Sequence, residues 1–192
     1  WRFTSVAPIA ERVFTTAGPE HAAAAQAVVA RFRLPGASAA ELVFVDGRYV
    51  PELWRVGQLP PGPRVGTLAS SFGAEHGEIE THIARIAPFE RHPFIALNTA
   101  FLDDGACIHL AAGTVLAEPV HVLFVSTGAD GSWTMAHPRV LVVLGANSQA
   151  SMVESYAGPE GGHYFTNAVT EIALGENAVL DHYRIQCESA EA

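Results

Sequence analysis

Val140-Leu141-Val142-Val143-Leu144-Gly145-Ala146-Asn147 and Thr170-Glu171-Ile172-Ala173-Leu174-Gly175-Glu176-Asn177 follow one plan: an apolar β-prone run closed by Gly-x-Asn. Glycine and asparagine tolerate left-handed backbone, so both closures read as the same tight turn. Each is followed by a second β-prone run, Ser151-Met152-Val153-Glu154-Ser155-Tyr156 and Val179-Leu180-Asp181-His182-Tyr183-Arg184-Ile185. Ile108-His109-Leu110-Ala111-Ala112-Gly113 is a more degenerate copy, and its glycine precedes Gly145 by 32 residues, as Gly145 precedes Gly175 by 30. A strand–turn–strand unit recurring at this interval predicts a solenoid whose tiers bury their faces on one another. A β-sandwich also gives short strands and turns, but it does not favour one turn at near-constant spacing. The expected fold is therefore mainly β, a parallel β-helix from about Pro93 onward, with Gly145 and Gly175 in equivalent turns.

Ahead of Pro93 the pattern differs. Gly18-Pro19-Glu20 and the alanine-rich run from His21 to Ala30 predict a helix that Pro35-Gly36 stops. Leu42-Val43-Phe44-Val45-Asp46-Gly47-Arg48-Tyr49-Val50-Pro51 predicts a hairpin, because Asp-Gly between β-prone runs suits a turn with two positive φ angles. Pro60-Pro61-Gly62-Pro63 reads as a stiff connector, and Ile79, Ile83 and Ile86 recur at helical spacing, predicting a short amphipathic helix. The expected N-terminal part is thus a small α/β region over residues 1–64, followed by a helical connector over 65–92.

Composition excludes several function classes. With 49% hydrophobic residues among 192, the chain can bury a substantial core. Its net charge is −9, and all eleven basic residues are arginines scattered along the sequence. Nucleic acids and anionic membranes require a concentrated basic patch, so neither is an expected partner. Cys107 and Cys187 form no CxxC pair, which favours a reducing, cytoplasmic setting. No apolar run approaches the roughly 20 residues of a membrane span. The start at Trp1 and the stop at Ala192 read as those of an excerpt from a longer protein.

Four runs stand out: Phe94-Ile95-Ala96-Leu97-Asn98-Thr99-Ala100-Phe101-Leu102-Asp103-Asp104-Gly105, Glu118-Pro119-Val120-His121-Val122, His137-Pro138-Arg139-Val140-Leu141-Val142 and Asp181-His182-Tyr183-Arg184-Ile185-Gln186. Together they resemble the SufB/SufD family of iron–sulfur cluster assembly proteins. The hairpin from Val43 to Leu53 is similar to what the SufD branch carries ahead of its core. The resemblance implies a flattened, right-handed parallel β-helix with two strands per turn, and makes residues 93–192 the first part of a SufBD-type core. It also implies a non-catalytic scaffold that pairs with SufB and the ATPase SufC, in a complex that handles an iron–sulfur cluster while SufC takes ATP. The family residues credited with cluster work, and the helices that dock SufC, lie later than any part of this chain. No catalytic, cofactor-binding or metal residue is carried over.

The chemistry-bearing residues give the same answer one by one. Cys107 and His109 share a strand face, yet a thiol and an imidazole are half a metal site, and a buried cysteine is commonly plain core. Cys187 shares a parity with Asp181, Tyr183 and Ile185 and reads as packing. His76, His82 and His92, near Glu75, Glu78 and Glu80, show no zinc spacing and read as an exposed polar face. Asp103-Asp104-Gly105 reads as a turn, and Arg139 as a solvated residue at a strand start rather than an anion site. Ser70-Ser71 lacks a GxSxG setting, and the loop of Gly158, Gly161 and Gly162 lacks the P-loop lysine. The competing function is a β-helical enzyme of the polysaccharide-lyase or acyltransferase kind, but the carboxylate cluster and basic proton abstractor typical of such lyases are not evident.

Overall fold

The computed structural model describes residues 5–16, 22–36, 38–57, 59–72, 77–128 and 133–190. Helices α1 (Ala7–Ala10) and α2 (Ala22–Phe32) precede a hairpin of β1 (Ala40–Val45) and β2 (Arg48–Tyr49), then β3 (Arg55–Val56) and β4 (Arg64–Thr67). Short helices α3 (Leu68–Ser71) and α4 (Gly77–Glu80) lead to α5 (Pro93–Ala100). Strands β5 (Gly105–Leu110), β6 (Val120–Val125), β7 (Thr134–Ala136), β8 (Arg139–Leu144), β9 (Gln149–Ala157), β10 (Tyr164–Thr166), β11 (Val169–Leu174) and β12 (Val179–Cys187) complete the described chain.

From β5 onward the chain alternates between two sheets, and the expected parallel pairing is present. β5, β8 and β11 lie side by side in one sheet, and β6, β9 and β12 in the other, every pair parallel. A third, narrow strand stands at each return corner, where β7 pairs with β10 in parallel. Two strands per tier were expected, so this corner strand is an addition. The even-numbered residues of both sheets face one another and form the main core, including Phe44, Phe124, Val142 and Met152.

The turns show why the glycines recur. Gly145 donates its N–H to Leu110 O, and Gly175 donates to Leu144 O. A Cβ at Gly145 would lie 2.5 Å from Ala112 N, and one at Gly175 would lie 2.7 Å from Ala146 N. Each glycine is therefore required by the backbone of the preceding tier, not by a positive φ. The left-handed position comes two residues later, at Asn147 (φ 57°) and Asn177 (φ 55°). Gly113 (φ 72°) is the counterpart of these asparagines, not of Gly145. The sequence spacing aligned the wrong glycine: β5 meets β8 with Gly105 against Arg139, an offset of 34 residues, whereas β8 meets β11 at 30. Between the Val115–Gln149 bridge and the Val120–Met152 pair the first tier spends two extra residues, so its period was never 30.

The N-terminal region joins the same sheets. β1 runs parallel to β6 and carries β2 and β3 on its other edge, while β4 pairs antiparallel with β5. The hairpin is as expected, with positive φ at both Asp46 and Gly47. Helix α2 is also as expected over its described residues, and Gly36 at φ 103° follows it. The helix is amphipathic enough to seat Ala25 and Val29 on Val43, Leu123 and Val125. The predicted helix through Ile79, Ile83 and Ile86 is not formed beyond one turn, because Ala84 adopts φ 56° and breaks it. Ile79 and Ile83 still pack on Leu68, Cys107 and Leu141, so the apolar spacing served packing without a continuous helix.

We expect Gly145→Val to destabilise the fold by roughly 3 kcal/mol through overpacking against the preceding tier. Asn147→Ala should cost about 1–2 kcal/mol and Asn147→Gly close to nothing, since only the latter relieves the left-handed penalty. Urea denaturation measures all three, and equal losses for the two Asn147 variants would contradict the assignment.

Candidate functional site

Inner-facing rows, read across the sheet of β1, β6, β9 and β12, change character from tier to tier. One row runs Phe44, Phe124, Tyr156, with rings stacked at centroid distances of 5.1 and 5.2 Å, and then meets Gln186. The neighbouring row begins apolar at Leu42 and Val122, then becomes Glu154 and Arg184. The interior is hydrocarbon in the first tiers and charged in the last.

Glu154 is the centre of that change. Its side chain is fully buried on β9, and four groups converge on it. His182 Nε2 lies 2.8 Å from Oε2, Arg184 Nη2 donates to Oε1 at 3.1 Å, and the Thr170 hydroxyl reaches across from β11 at 2.9 Å. The Tyr156 hydroxyl donates to Oε1 as well. Burial, reinforced by the adjacent Glu154 charge, pushes the Tyr156 phenol far above its ordinary value, so it remains a donor. Burial works against the Arg184 charge, yet Tyr156 and Glu154 together hold its pKa above normal. A buried carboxylate is tolerable only when so fully partnered. Beside the cluster lies a cavity of about 320 Å³ with His92, Phe94, Phe165 and Gln186 in its wall.

A second polar line crosses the opposite face of the same sheet. Ser155 Oγ is 2.9 Å from His121 Nε2, His121 Nδ1 is 3.1 Å from Glu41 Oε2, and Arg33 Nε is 3.2 Å from Glu41 Oε1. The order Ser–His–Glu is that of a hydrolase relay. Here Ser155 is only 4% exposed, on a face that α2 packs against. Its geometry ties β1, β6 and β9 together and offers a substrate no approach.

The third assembly holds the corner between β7 and β8. Arg139 was read as solvated; its guanidinium is instead 0% exposed and ion-paired with the equally buried Glu171 at 2.7 Å. Asn98 of α5 accepts from Arg139 Nη1, and its amide donates to Pro138 O and Asn167 O of successive corners. The Asn167 amide donates to Phe94 O at 2.8 Å and lies 3.2 Å from His137 Nδ1. That donor forces Nδ1 to accept, so the neutral ring carries its proton on Nε2, and burial, which lowers the His137 pKa, favours this neutral form.

The remaining candidates fall as follows. Cys107 faces outward from the main core among Leu68, Ile79 and Leu141, and burial raises its pKa despite the Ser71 hydroxyl, so it stays a thiol. His109 shares its face but no metal grouping; among the described residues no three His, Cys, Asp or Glu side chains are placed to hold an ion. Cys187 is exposed on β12. Ser70 forms a capping box with Thr67. His92 caps α5 through Nδ1, and both His92 and His82 are half-buried rather than part of an exposed face; Glu75 and His76 lie outside the described residues, as does the side chain of Glu78. Asp104-Gly105 is not a turn: Asp104 Oδ1 accepts from Ala69 and Gly105, and Gly105 opens β5 where a Cβ would strike Arg139 O. No helix among the described residues is long and apolar enough to cross a membrane.

Sequence reasoning missed Glu154, Thr170 and the Arg139–Glu171 pair. The available signal was parity: Glu154 occupies the inward phase set by Met152 and Tyr156, where a charge is expected only with partners.

Residues 14–122 match the SufBD protein N-terminal region, and residues 124–192 match the SufBD core domain of the SUF iron–sulfur cluster assembly system. The chain belongs to the SufBD family. An iron–sulfur cluster assembly SufBD family protein of Synechocystis is 32% identical over 200 residues, covering all of this chain and 43% of that protein. The chloroplastic protein ABCI7 of Arabidopsis thaliana is 31% identical over 101 residues, 50% of this chain and 21% of its own length. This SufBD chain thus spans less than half the length of both relatives. The runs that carried the family resemblance now have physical roles: Asn98 and Thr99 hold Arg139, His137 and Arg139 form the corner, and His182 and Arg184 close on Glu154.

Glu154→Ala should cost roughly 2–3 kcal/mol in urea denaturation, discounted from a fully buried pair because His182 and Arg184 can reach water. His182→Ala should cost about 1 kcal/mol or less. A loss for Glu154→Ala no greater than that for the exposed control Glu160→Ala would contradict the central place given to Glu154.

Proposed function

We propose that this SufBD chain is part of a SufD-type, non-catalytic scaffold subunit in iron–sulfur cluster assembly. In this reading the alternating sheets are the opening tiers of a flattened right-handed parallel β-helix, with residues 1–64 as its cap, 65–92 as a connector and 93–192 as the start of the core. The full-length protein pairs with SufB and the ATPase SufC in the cytoplasm. The cluster belongs to the whole complex, ATP to SufC, and this segment binds neither.

The observation that supports the reading is the parallel register of the two ladders, β5 with β8 and β11 and β6 with β9 and β12, in a chain that belongs to the SufBD family. Its buried polar groups hold strands and corners together, as the Ser155–His121–Glu41 line and the Arg139–Glu171 pair do, rather than presenting an accessible reactive group.

The test is a tagged pull-down with co-expressed operon partners. The full-length protein should retain SufB and SufC in stoichiometric amounts. Residues 1–192 alone should retain neither and should self-associate through the β11 and β12 edges, a change visible by light scattering. Stoichiometric recovery of SufC with residues 1–192 would overturn the reading.

A further inference from the structure

Arg139 and the segment 84–87 together make a pocket for one carboxylate. Glu171 Oε1 accepts from the N–H groups of Ile86 (3.0 Å) and Ala87 (2.9 Å), and Oε2 accepts from Ala84 N–H at 2.9 Å. Arg139 Nε donates to Oε2 at 2.7 Å, and Nη2 approaches the same oxygen at 2.7 Å. The guanidinium is itself oriented by Asn98 Oδ1 and Thr99 Oγ1, each 3.1 Å from Nη1, and by Ala87 O at 3.4 Å from Nη2. The left-handed Ala84 turns the successive amides inward, which is how a backbone nest for an anion is made. Arg139 and Glu171 are both fully buried.

Two features separate this arrangement from an ordinary buried ion pair. The donors come from outside the sheet, on the segment between α4 and α5, whereas the acceptor comes from β11, the edge strand. All donors except the acceptor's own strand are held in place without Glu171: Arg139 by α5, and the 84–87 segment by Ile83 packed on Leu68, Cys107 and Leu141. We propose that Arg139 and the amides of Ala84, Ile86 and Ala87 form a carboxylate-binding site that Glu171 occupies in cis, latching the edge strand to the segment that crosses it. The site accepts any carboxylate small enough to enter when Glu171 is withdrawn. This inference does not rest on the scaffold reading.

Acetate has the size and charge of the part of Glu171 that Glu171→Ala removes, so it is the probe. In chloride, Glu171→Ala should lower the thermal midpoint by roughly 10 °C, because it strands a buried guanidinium. In acetate at matched ionic strength the midpoint should climb with the logarithm of acetate concentration, as ligand binding to the folded state requires. The unsubstituted protein should respond equally to the two salts. Glu171→Gln, which keeps the space filled, and the double variant Glu171→Ala/Arg139→Leu, which lacks the guanidinium, should show no preference for acetate. The proposal is overturned if chloride rescues Glu171→Ala as well as acetate does, if the double variant still responds, or if Glu171→Ala stays unfolded at every acetate concentration.

Discussion

The close approach of one turn to the next governs the rest of the structure. Gly145 lies against Ala111 and Ala112, and Gly175 against Gly145 and Ala146, with no room for a Cβ at either glycine. That contact sets the register in which β8 meets β5 and β11 meets β8. The register in turn aligns like with like across the tiers. Phe44, Phe124 and Tyr156 stack, while Glu154 comes opposite Arg184 rather than opposite an apolar side chain. A slip of one residue would drive Glu154 and Arg184 to the outer face and turn Arg139 into the hydrocarbon core, at a cost no local adjustment could offset.

Much of this architecture could be read in the amino-acid order because it depends on local chemistry. The Asp46-Gly47 hairpin, the α2 helix and the two Gly-x-Asn turns each require particular backbone conformations that few residues supply. The parallel arrangement followed from a repeated turn. What escaped depended on distant partners. Arg139 looks like a solvated strand-start residue, since arginine is rarely buried unpaired, and its partners Glu171, Asn98 and Thr99 lie 32, 41 and 40 residues away. Ile79, Ile83 and Ile86 had helical spacing, but Ala84 turns left-handed and ends the helix after one turn while Ile79 and Ile83 keep their packing on Leu68 and Leu141. The two extra residues in the first tier masked the true partner of Gly113, because a spacing argument cannot distinguish an insertion in a loop from a change of register.

Polarity inside the sheets is distributed with direction. At the edge covered by β1 the interior is sealed by stacked rings and aliphatic side chains. Towards β12 it carries His182, Arg184 and Gln186 around Glu154, next to a cavity of about 320 Å³. Glu154 is tolerated in this interior because its partners surround it and two of them, His182 and Arg184, reach water. The outer faces serve a different purpose: Ser155, His121 and Glu41 clamp three strands beneath α2, and Arg139 with Glu171 clamps two beneath the segment before α5.

The tier-on-tier register can be tested directly by a disulfide between equivalent turns. Asn177 Nδ2 lies 3.3 Å from Asn147 Oδ1, thirty residues away in sequence. In a chain carrying Asn147→Cys and Asn177→Cys, with Cys107 and Cys187 replaced by serine, mild oxidation should close an intramolecular bond rapidly and nearly completely at concentrations where intermolecular products are absent. The separation of adjacent parallel strands lies within the range a disulfide can span. A control with Asn177→Cys paired instead with Gly113→Cys, two tiers away, should remain reduced. Failure of the first pair to close, or equal closure of both pairs, would contradict the stacked register on which the whole account depends.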